Sequence, residues 1–275
     1  MTERIKATFE HLAKQGRKAL VPYVTAGFPW PDVTVALMHD MVAAGADLIE
    51  LGVPFSDPMA DGPKIQAAND KALAQGITLA KVLDIVRQFR REDGRTPVIL
   101  MGYANPIEAM GQSKFFEAAR SAGVDGLIVV DCPPEEAVDF TAGARACGMN
   151  NIFLLAPTSD EARINAVLAQ SSGFIYYVSL RGVTGAAHLD VDEVGRQLQA
   201  LRMRTDLPIG VGFGIRDAET AVAIGREADA VVIGTRVIEV LNSASTPEQA
   251  RSALSAFVAE IRSALDGLTT PARGA

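Results

Sequence analysis

The chain has 275 residues, of which 26 are lysine or arginine and 33 are aspartate or glutamate, for a net charge of −7. Apolar residues make up 48% and charged residues 21%, a composition typical of globular proteins that excludes global disorder. The acidic balance argues against nucleic acid as the main partner, because phosphate backbones favour a basic surface. No apolar run approaches the ~18 residues of a membrane span, and the N-terminus lacks a signal-peptide core, so we expect a cytoplasmic protein.

Eight short apolar runs recur along the chain, at 20–25, 48–53, 98–102, 126–131, 152–156, 174–179, 209–213 and 230–234. Near-continuous apolar runs of this length are typical of strands buried on both faces of a parallel sheet. Helical periodicity falls between and after them, at 32–44, 78–91, 113–122, 135–147, 160–171, 190–205, 217–227 and 247–268. Several of these segments begin at a residue suited to an N-cap.

Strands that alternate with helices along the whole chain predict an α/β fold of the (β/α)8 TIM-barrel type. Residues 2–14 predict an extra N-terminal helix, which would cover the floor of the barrel. A doubly wound open sheet is the alternative that the same alternation allows. No linker or composition shift divides the sequence, so we expect a single domain over residues 1–275, with a core from about 18 to 268.

Two acidic residues near the end of the second strand are the candidate acid–base groups. Alternation in LIELGV directs Glu50 into the barrel mouth, where barrel enzymes hold their active sites. A buried carboxylate is costly unless it is paired or used in chemistry, and none of the eight predicted strands contains a lysine or arginine to pair with it. Asp61 lies on the following proline-rich loop, before a helix expected to begin near Lys64, and it is either a second acid–base group or a turn residue.

The last three strand ends are rich in glycine, with the sequences SLRGVTGA, GVGFGIRD and VIGTRV. Phosphate sites in barrels are commonly built there from backbone N–H groups at a helix N-terminus, and Thr184 and Thr235 can add hydroxyl donors. The alternative is that these are ordinary turn glycines. Bulky residues in or after the strands line either a pocket or the core: Tyr23, Met101, Tyr103, Tyr176 and Phe213. Asp131 is a pocket residue or a helix cap.

The residues alone therefore indicate an acid–base enzyme that acts on a phosphate ester with an apolar moiety. The string LIELGVPFSDPMADGPKIQAAN resembles the signature of the tryptophan synthase alpha chain family. The similarity extends to PYVTAGFP, MGYANPI, GVDGLIVVDCPPEEA, SLRGVTGA and GFGI, which follow the family's order over nearly the whole chain. The resemblance implies a (β/α)8 barrel that cleaves indole-3-glycerol phosphate to indole and glyceraldehyde 3-phosphate by a retro-aldol reaction, for tryptophan biosynthesis.

The resemblance also implies roles for single residues. Glu50 would be the acid–base group, and Asp61 would accept the indole N–H and stabilise the indolenine cation. The residues implied to hold the phosphate are Thr184, Gly185, Gly214, Gly234 and Thr235. Those implied to line the indole pocket are Tyr23, Ile65, Met101, Tyr103, Asp131, Tyr176 and Phe213. Tyr23 and Met101 stand where many relatives have Phe and Leu, and Thr235 stands where many have Ser.

The resemblance further implies a partner, a beta chain that carries pyridoxal phosphate, in an αββα complex through which indole passes by a tunnel. The positions that match the family's contact face are Pro54, Asp57, Asn105 and Pro133. No cofactor and no metal is expected in this chain, since it has neither a lysine motif for pyridoxal phosphate nor metal-ligand spacing among its histidines. Two alternative hypotheses remain. One is a different phosphate-binding barrel, such as a sugar isomerase or an indole-glycerol-phosphate synthase, and the synthase would require a catalytic lysine inside a strand. The other is a non-catalytic subunit that only binds and activates a beta chain.

Overall fold

A computed structural model describes residues 3–179, 191–212 and 214–268 of the chain. Its strands form one curled sheet in which every pairing between described strands is parallel. The strands are β1 (Ala19–Thr25), β2 (Ile49–Gly52), β3 (Val98–Gly102), β4 (Gly126–Val129), β5 (Asn150–Asn151), β6 (Leu154–Leu155), β7 (Ile175–Val178), β8 (Ile209–Gly212) and β9 (Ala230–Ile233). The predicted eight strands are all present, and the fold is the predicted barrel instead of an open sheet.

Closure of the barrel depends on residues 150–155, which form β5 and β6 in place of the single predicted strand over 152–156. β5 pairs with β4, whereas β6 pairs with β7. Between them, the Ile152 N–H donates to Leu127 at 2.9 Å and the Phe153 carbonyl accepts from Tyr176 at 3.1 Å. β5 and β6 are therefore two halves of the fifth barrel strand, and the sheet has no free edge there.

The described helices surround the strands. They are α1 (Arg4–Lys14), α2 (Thr34–Ala43), α3 (Pro63–Ala74), α4 (Leu79–Phe89), α5 (Ala104–Met110), α6 (Gln112–Ala122), α7 (Val138–Ala146), α8 (Glu161–Gln170), α9 (Val191–Arg202), α10 (Ala218–Glu227), α11 (Thr235–Asn242) and α12 (Pro247–Asp266). Among the described residues, no helix has the length and apolarity needed to cross a membrane.

Two short helices, α5 and α11, were absent from the sequence expectations. Pro106 lies in the first turn of α5, where its missing N–H has no intrahelical partner to lose, so a residue that usually signals a break is tolerated. α11 begins at Thr235, one residue after Gly234 and two after the end of β9, so its apolar residues follow the strand without a separating turn. Both helices start at the end of the barrel where the strands terminate.

The extra N-terminal helix covers the barrel floor, as predicted. Ile5, Phe9 and Leu12 of α1 pack into the apolar cluster that fills the barrel interior, and the Phe9 ring lies 5.7 Å from Phe174. Leu48 belongs to this interior cluster, while Ile49, Leu51 and Val53 belong to the cluster between strands and helices. The strand β2 thus has the predicted orientation, with the side of Glu50 facing inward.

Four equivalent hydrogen bonds join neighbouring strands at the floor. Each runs from a backbone N–H of the first, third, fifth or seventh barrel strand to a side-chain oxygen just before the next strand. Because β5 and β6 form the fifth barrel strand together, β8 is the seventh. The bonds are Leu20 to Asp47 (2.9 Å), Val98 to Asp125 (2.9 Å), Asn151 to Ser172 (2.9 Å) and Ile209 to Asp229 (3.0 Å). Each of these bonds satisfies one backbone N–H and one side-chain oxygen, and together they hold neighbouring strands in place at the floor.

Candidate active site

Glu50 is the second residue of β2 and lies on its inward side, level with Tyr23 on β1 and Ile99 on β3. It is 1% exposed, and its Oε2 is buried without a hydrogen-bond partner in the described part of the chain. Burial, reinforced by the charge of nearby Asp61, raises the pKa of Glu50 from 4.5 to about 8. At neutral pH this carboxyl therefore holds a proton that it can give to a substrate.

Asp61 follows β2 on the loop that leads into α3. Its Oδ2 accepts the hydroxyl of Tyr103 at 3.1 Å and the side-chain amide of Asn69 at 3.3 Å. Partial burial raises the pKa of Asp61, while these two hydrogen bonds act in the opposite direction because they favour the charged form. The two carboxyl groups thus share a site but differ in environment: among the described residues, Asp61 has two donors and Glu50 has none.

Two tyrosines, Tyr23 and Tyr176, lie beside Glu50. Burial raises the pKa of both phenols well above its ordinary value, and the charge of Glu50 adds to the effect. A Cβ at Gly52 would lie 2.2 Å from the Tyr23 hydroxyl, and a Cβ at Gly212 would lie 2.2 Å from the Tyr176 hydroxyl. The two glycines therefore make room for the tyrosine rings, which enclose the carboxyl at the mouth.

The other predicted pocket residues occupy more varied positions. Tyr103 is buried, stacks on Phe55 at 5.1 Å and accepts the N–H of Ala60 at 3.1 Å, so it also braces the loop that carries Asp61. Met101 is half-buried at the end of β3 and packs against the barrel interior, while Ile65 is buried on α3. Asp131 is exposed and accepts the N–H of Ala104, the first residue of α5, at 2.8 Å. It therefore bonds the helix that follows β3 and does not cap α7, the next helix along the chain, which has no side-chain cap. Its role in the pocket stays a prediction.

The predicted phosphate site is only partly described. Gly214 follows β8 with a φ of +78°, in the left-handed region that favours glycine. Gly234 and Thr235 form the start of α11, whose first N–H groups have no intrahelical partners and face the mouth end of the barrel. Thr184, Gly185 and Phe213 lie outside the described residues, so their predicted roles stay predictions.

Sequence reasoning missed one buried polar residue in the site, Asn69. It lies on the apolar face of α3 together with Ile65, Ala68 and Ala72, and it is 2% exposed. A polar side chain inside an apolar helical stripe breaks the local pattern, and that break could have identified it. Within the described ranges, no group of three His, Cys, Asp or Glu side chains could hold a metal ion.

Comparisons with known proteins match one family over nearly the whole chain. Residues 9–266 match the family model described as tryptophan synthase alpha chain. The tryptophan synthase alpha chain of Azoarcus sp. (strain BH72) is 62% identical over 265 residues, which are 96% of this chain and 97% of the relative. That of Burkholderia pseudomallei (strain 1106a) is 59% identical over 269 residues, covering 98% of this chain and 99% of the relative.

Solved structures give the same result for the fold. The crystal structure of tryptophan synthase subunit alpha from Legionella pneumophila str. Paris superposes with a TM-score of 0.88 at 41% identity, over 96% of this chain and 99% of that one. A chain of tryptophan synthase from M. tuberculosis, in its aminoacrylate-bound form, superposes with a TM-score of 0.85 at 30% identity, over 95% and 99% of the two chains. The chain belongs to the tryptophan synthase alpha chain family.

Proposed function

We propose that Glu50 and Asp61 carry out the lyase reaction of this alpha chain, the cleavage of indole-3-glycerol phosphate to indole and glyceraldehyde 3-phosphate. The observation that carries the proposal is the contrast between the two carboxyl groups. Glu50 is buried without a hydrogen-bond partner in the described residues and has a pKa of about 8. Asp61 accepts two hydrogen bonds that favour its ionised form.

Glu50 gives its proton to C3 of the indole ring, which produces an indolenine cation. The resulting carboxylate then takes the proton of the hydroxyl on the glycerol carbon attached to C3. The bond between these two carbons breaks, its electron pair returns to the indole ring, and the hydroxyl carbon becomes the aldehyde of glyceraldehyde 3-phosphate. Glu50 gives one proton and receives one, so it ends the cycle as it began.

Asp61 stabilises the charge that develops between these two proton transfers. The indole N–H becomes strongly acidic and positively charged once C3 is protonated, and a fixed carboxylate beside it lowers the energy of that intermediate. Its position on a braced loop supports this role, since Tyr103 and Asn69 already hold the carboxyl before substrate arrives. Water needs little reorganisation during the reaction at such a preorganised site.

The surroundings support a ligand with an apolar ring and a phosphate. Tyr23, Met101 and Tyr176 supply apolar walls around Glu50. Gly214, Gly234 and Thr235 lie where a phosphate can meet the positive end of α11, and Thr184 and Gly185 are proposed to complete that site. The alternative hypothesis of an indole-glycerol-phosphate synthase requires a catalytic lysine inside a strand. Lys18, which precedes β1, points its Nζ to the Ala228 carbonyl at the floor instead.

An alpha chain has a beta-chain partner, and we propose that the two form an α2β2 tetramer in which the beta chain holds pyridoxal phosphate. The proposed contact face comprises Pro54, Asp57, Asn105 and Pro133. Met59, on the same loop as Asp57, supports it, because this large apolar side chain is 84% exposed. We further propose a cytoplasmic protein that folds as one domain over residues 1–275.

The experiment that tests this function measures indole release from indole-3-glycerol phosphate across a titration of beta chain. We expect the chain to be a poor catalyst alone and to be activated about 5–150-fold, the range typical of coupling between sites. Glycerol phosphate bound to this chain should in turn tighten beta binding, by the factor by which the beta chain tightens glycerol phosphate binding, because linkage makes binding couplings reciprocal. If the complex forms but releases no indole, the proposed lyase function is wrong. The alternative hypothesis of a non-catalytic, activating subunit would then be favoured.

A further inference from the structure

Asn69 is a buried polar group whose position is unexplained by packing. The buried face of α3 is otherwise formed by Ile65, Ala68 and Ala72. An amide on such a face costs free energy unless its polar atoms are satisfied. The Nδ2 of Asn69 donates to Asp61, but its Oδ1 is buried without a partner in the described part of the chain. An apolar residue would pack better in this stripe, so packing does not account for the amide. Its contribution is the hydrogen bond that it donates to Asp61.

The contact fixes the orientation of the Asp61 carboxyl. Asn69 and Tyr103 both donate to Oδ2, from α3 on one side and from the end of β3 on the other. Two donors on one oxygen restrain rotation of the carboxyl group and leave Oδ1 without a described donor. Oδ1 is therefore the atom available to an incoming N–H.

The backbone of Asp61 is held independently of its carboxyl. Gln66, also on α3, donates its side-chain amide to the Asp61 carbonyl at 2.8 Å, and the Asp61 N–H donates to Pro58 at 3.0 Å. One helix therefore makes two separate contacts with the same residue. Gln66 holds the main chain of Asp61 in place, whereas Asn69 bonds to its carboxylate.

We infer that Asn69 is a positioning residue for the reaction, one that turns the Asp61 carboxylate so that Oδ1 meets the indole N–H of the substrate. The inference rests on the role proposed for Asp61. The ionisable groups facing Asp61 are Glu50 from β2, Tyr23 from β1 and Tyr103 just after β3, and the electrostatic influence of Asp61 extends to each of them. Asn69 is the neutral donor among these groups, so its removal leaves their charges unchanged.

The test compares Asn69→Leu with Gln66→Leu in the complex with the beta chain, by pH profiles of kcat/KM for indole-3-glycerol phosphate. Loss of the Asn69 donor disfavours the Asp61 carboxylate, so we expect the acid limb to move upward by about one pH unit and kcat to fall about tenfold. Gln66→Leu removes a bond to the same residue without touching the carboxylate, so its acid limb should coincide with the parent's.

The outcomes separate this inference from the function on which it rests. An Asn69→Leu limb that coincides with the parent's, or a Gln66→Leu limb that shifts equally, would overturn it, because Asn69 would then only brace the loop. Asp61→Asn is measured in parallel. Near-parental turnover of that variant would overturn the role of Asp61 itself, whereas an inactive Asp61→Asn with an unshifted Asn69→Leu would overturn the role of Asn69 alone.

Discussion

The floor and the mouth of the barrel each bury a carboxyl group, but among the described residues only the floor provides its carboxyl group with hydrogen-bond donors and opposite charges. At the floor, Asp125 is fully buried and pairs with Arg4 at 2.8 Å and Arg90 at 2.6 Å, and it also accepts the N–H of Val98. At the mouth, Glu50 is buried to the same degree and has no donor in the described part of the chain. Burial alone therefore does not distinguish a structural acid from a reactive one.

The difference lies in what compensates the lost hydration. Two guanidinium groups and a backbone N–H replace water around Asp125, so the charge contributes to holding β3 and β4 together. No described residue replaces water around Glu50 in this way, and burial raises its pKa to about 8, so it is a neutral acid at neutral pH. The equivalent aspartates Asp47 and Asp229 at the floor also meet an arginine and a backbone N–H. Burial still raises the pKa of the Asp47 carboxyl, but Arg262 and the Leu20 N–H act against that rise.

The largest effect is expected from Glu50→Gln at the mouth. This change keeps the shape of the side chain but removes the proton that C3 of the indole ring must receive. A positioned acid–base group contributes about 10²–10⁴-fold, so kcat should fall by at least that factor while the fold is retained. Indole release at saturating substrate, with a beta chain present, measures the loss. Turnover close to the parental value would show that Glu50 is not the acid.

The second effect is expected from Asp125→Asn at the floor. In contrast to Glu50→Gln, this change should lower stability and leave kcat unchanged. Removing the charge leaves the guanidinium of Arg90 without its buried counter-charge, and breaking a buried pair typically costs about 3–5 kcal/mol. The free energy of unfolding in urea should fall by that amount, while kcat measured well below the melting temperature stays unchanged. If stability is unaffected, or if kcat falls with it, the division between floor and mouth is wrong.

The sequence predicted most of the barrel for a physical reason. Strands buried on both faces must be apolar, so all eight runs were visible, and alternation within LIELGV was sufficient to place Glu50 inside. The break between β5 and β6 was not predictable, because it depends on the register with which residues 150–155 pair with two different neighbours. Local patterning contains no information on that register.

The site was predictable in its carboxyl groups but not in what controls them. Glu50 and Asp61 were identifiable as acidic residues near one strand end, whereas the donors to Asp61 come from a helix and from the end of a different strand. Tyr103 was expected to line the pocket, and the structure gives it the further contact with Asp61. Asn69 was visible only as a polar residue in an apolar stripe, a signal that becomes meaningful once its neighbour is known.

The third effect concerns how stability depends on pH, and it tests the contrast without any substrate. The folded-state pKa of Glu50, about 8, lies above its ordinary value of 4.5. Between these two values the unfolded chain binds fewer protons than the folded one, so Glu50 makes the protein less stable as pH rises through this window. Below 4.5 the contribution is fully favourable, and above about 8 the dependence on Glu50 ends.

Glu50→Gln should remove this dependence, because glutamine does not titrate. The stability of the parent relative to the variant should therefore decrease from pH 5 to pH 8 with a slope of at most about 1.4 kcal/mol per pH unit. Urea unfolding of both proteins across that range measures it, and Asp61, whose raised pKa acts in the same direction, is common to both. A stability difference that stays constant with pH would mean that Glu50 ionises normally in the folded protein, which would make the mouth as well compensated as the floor.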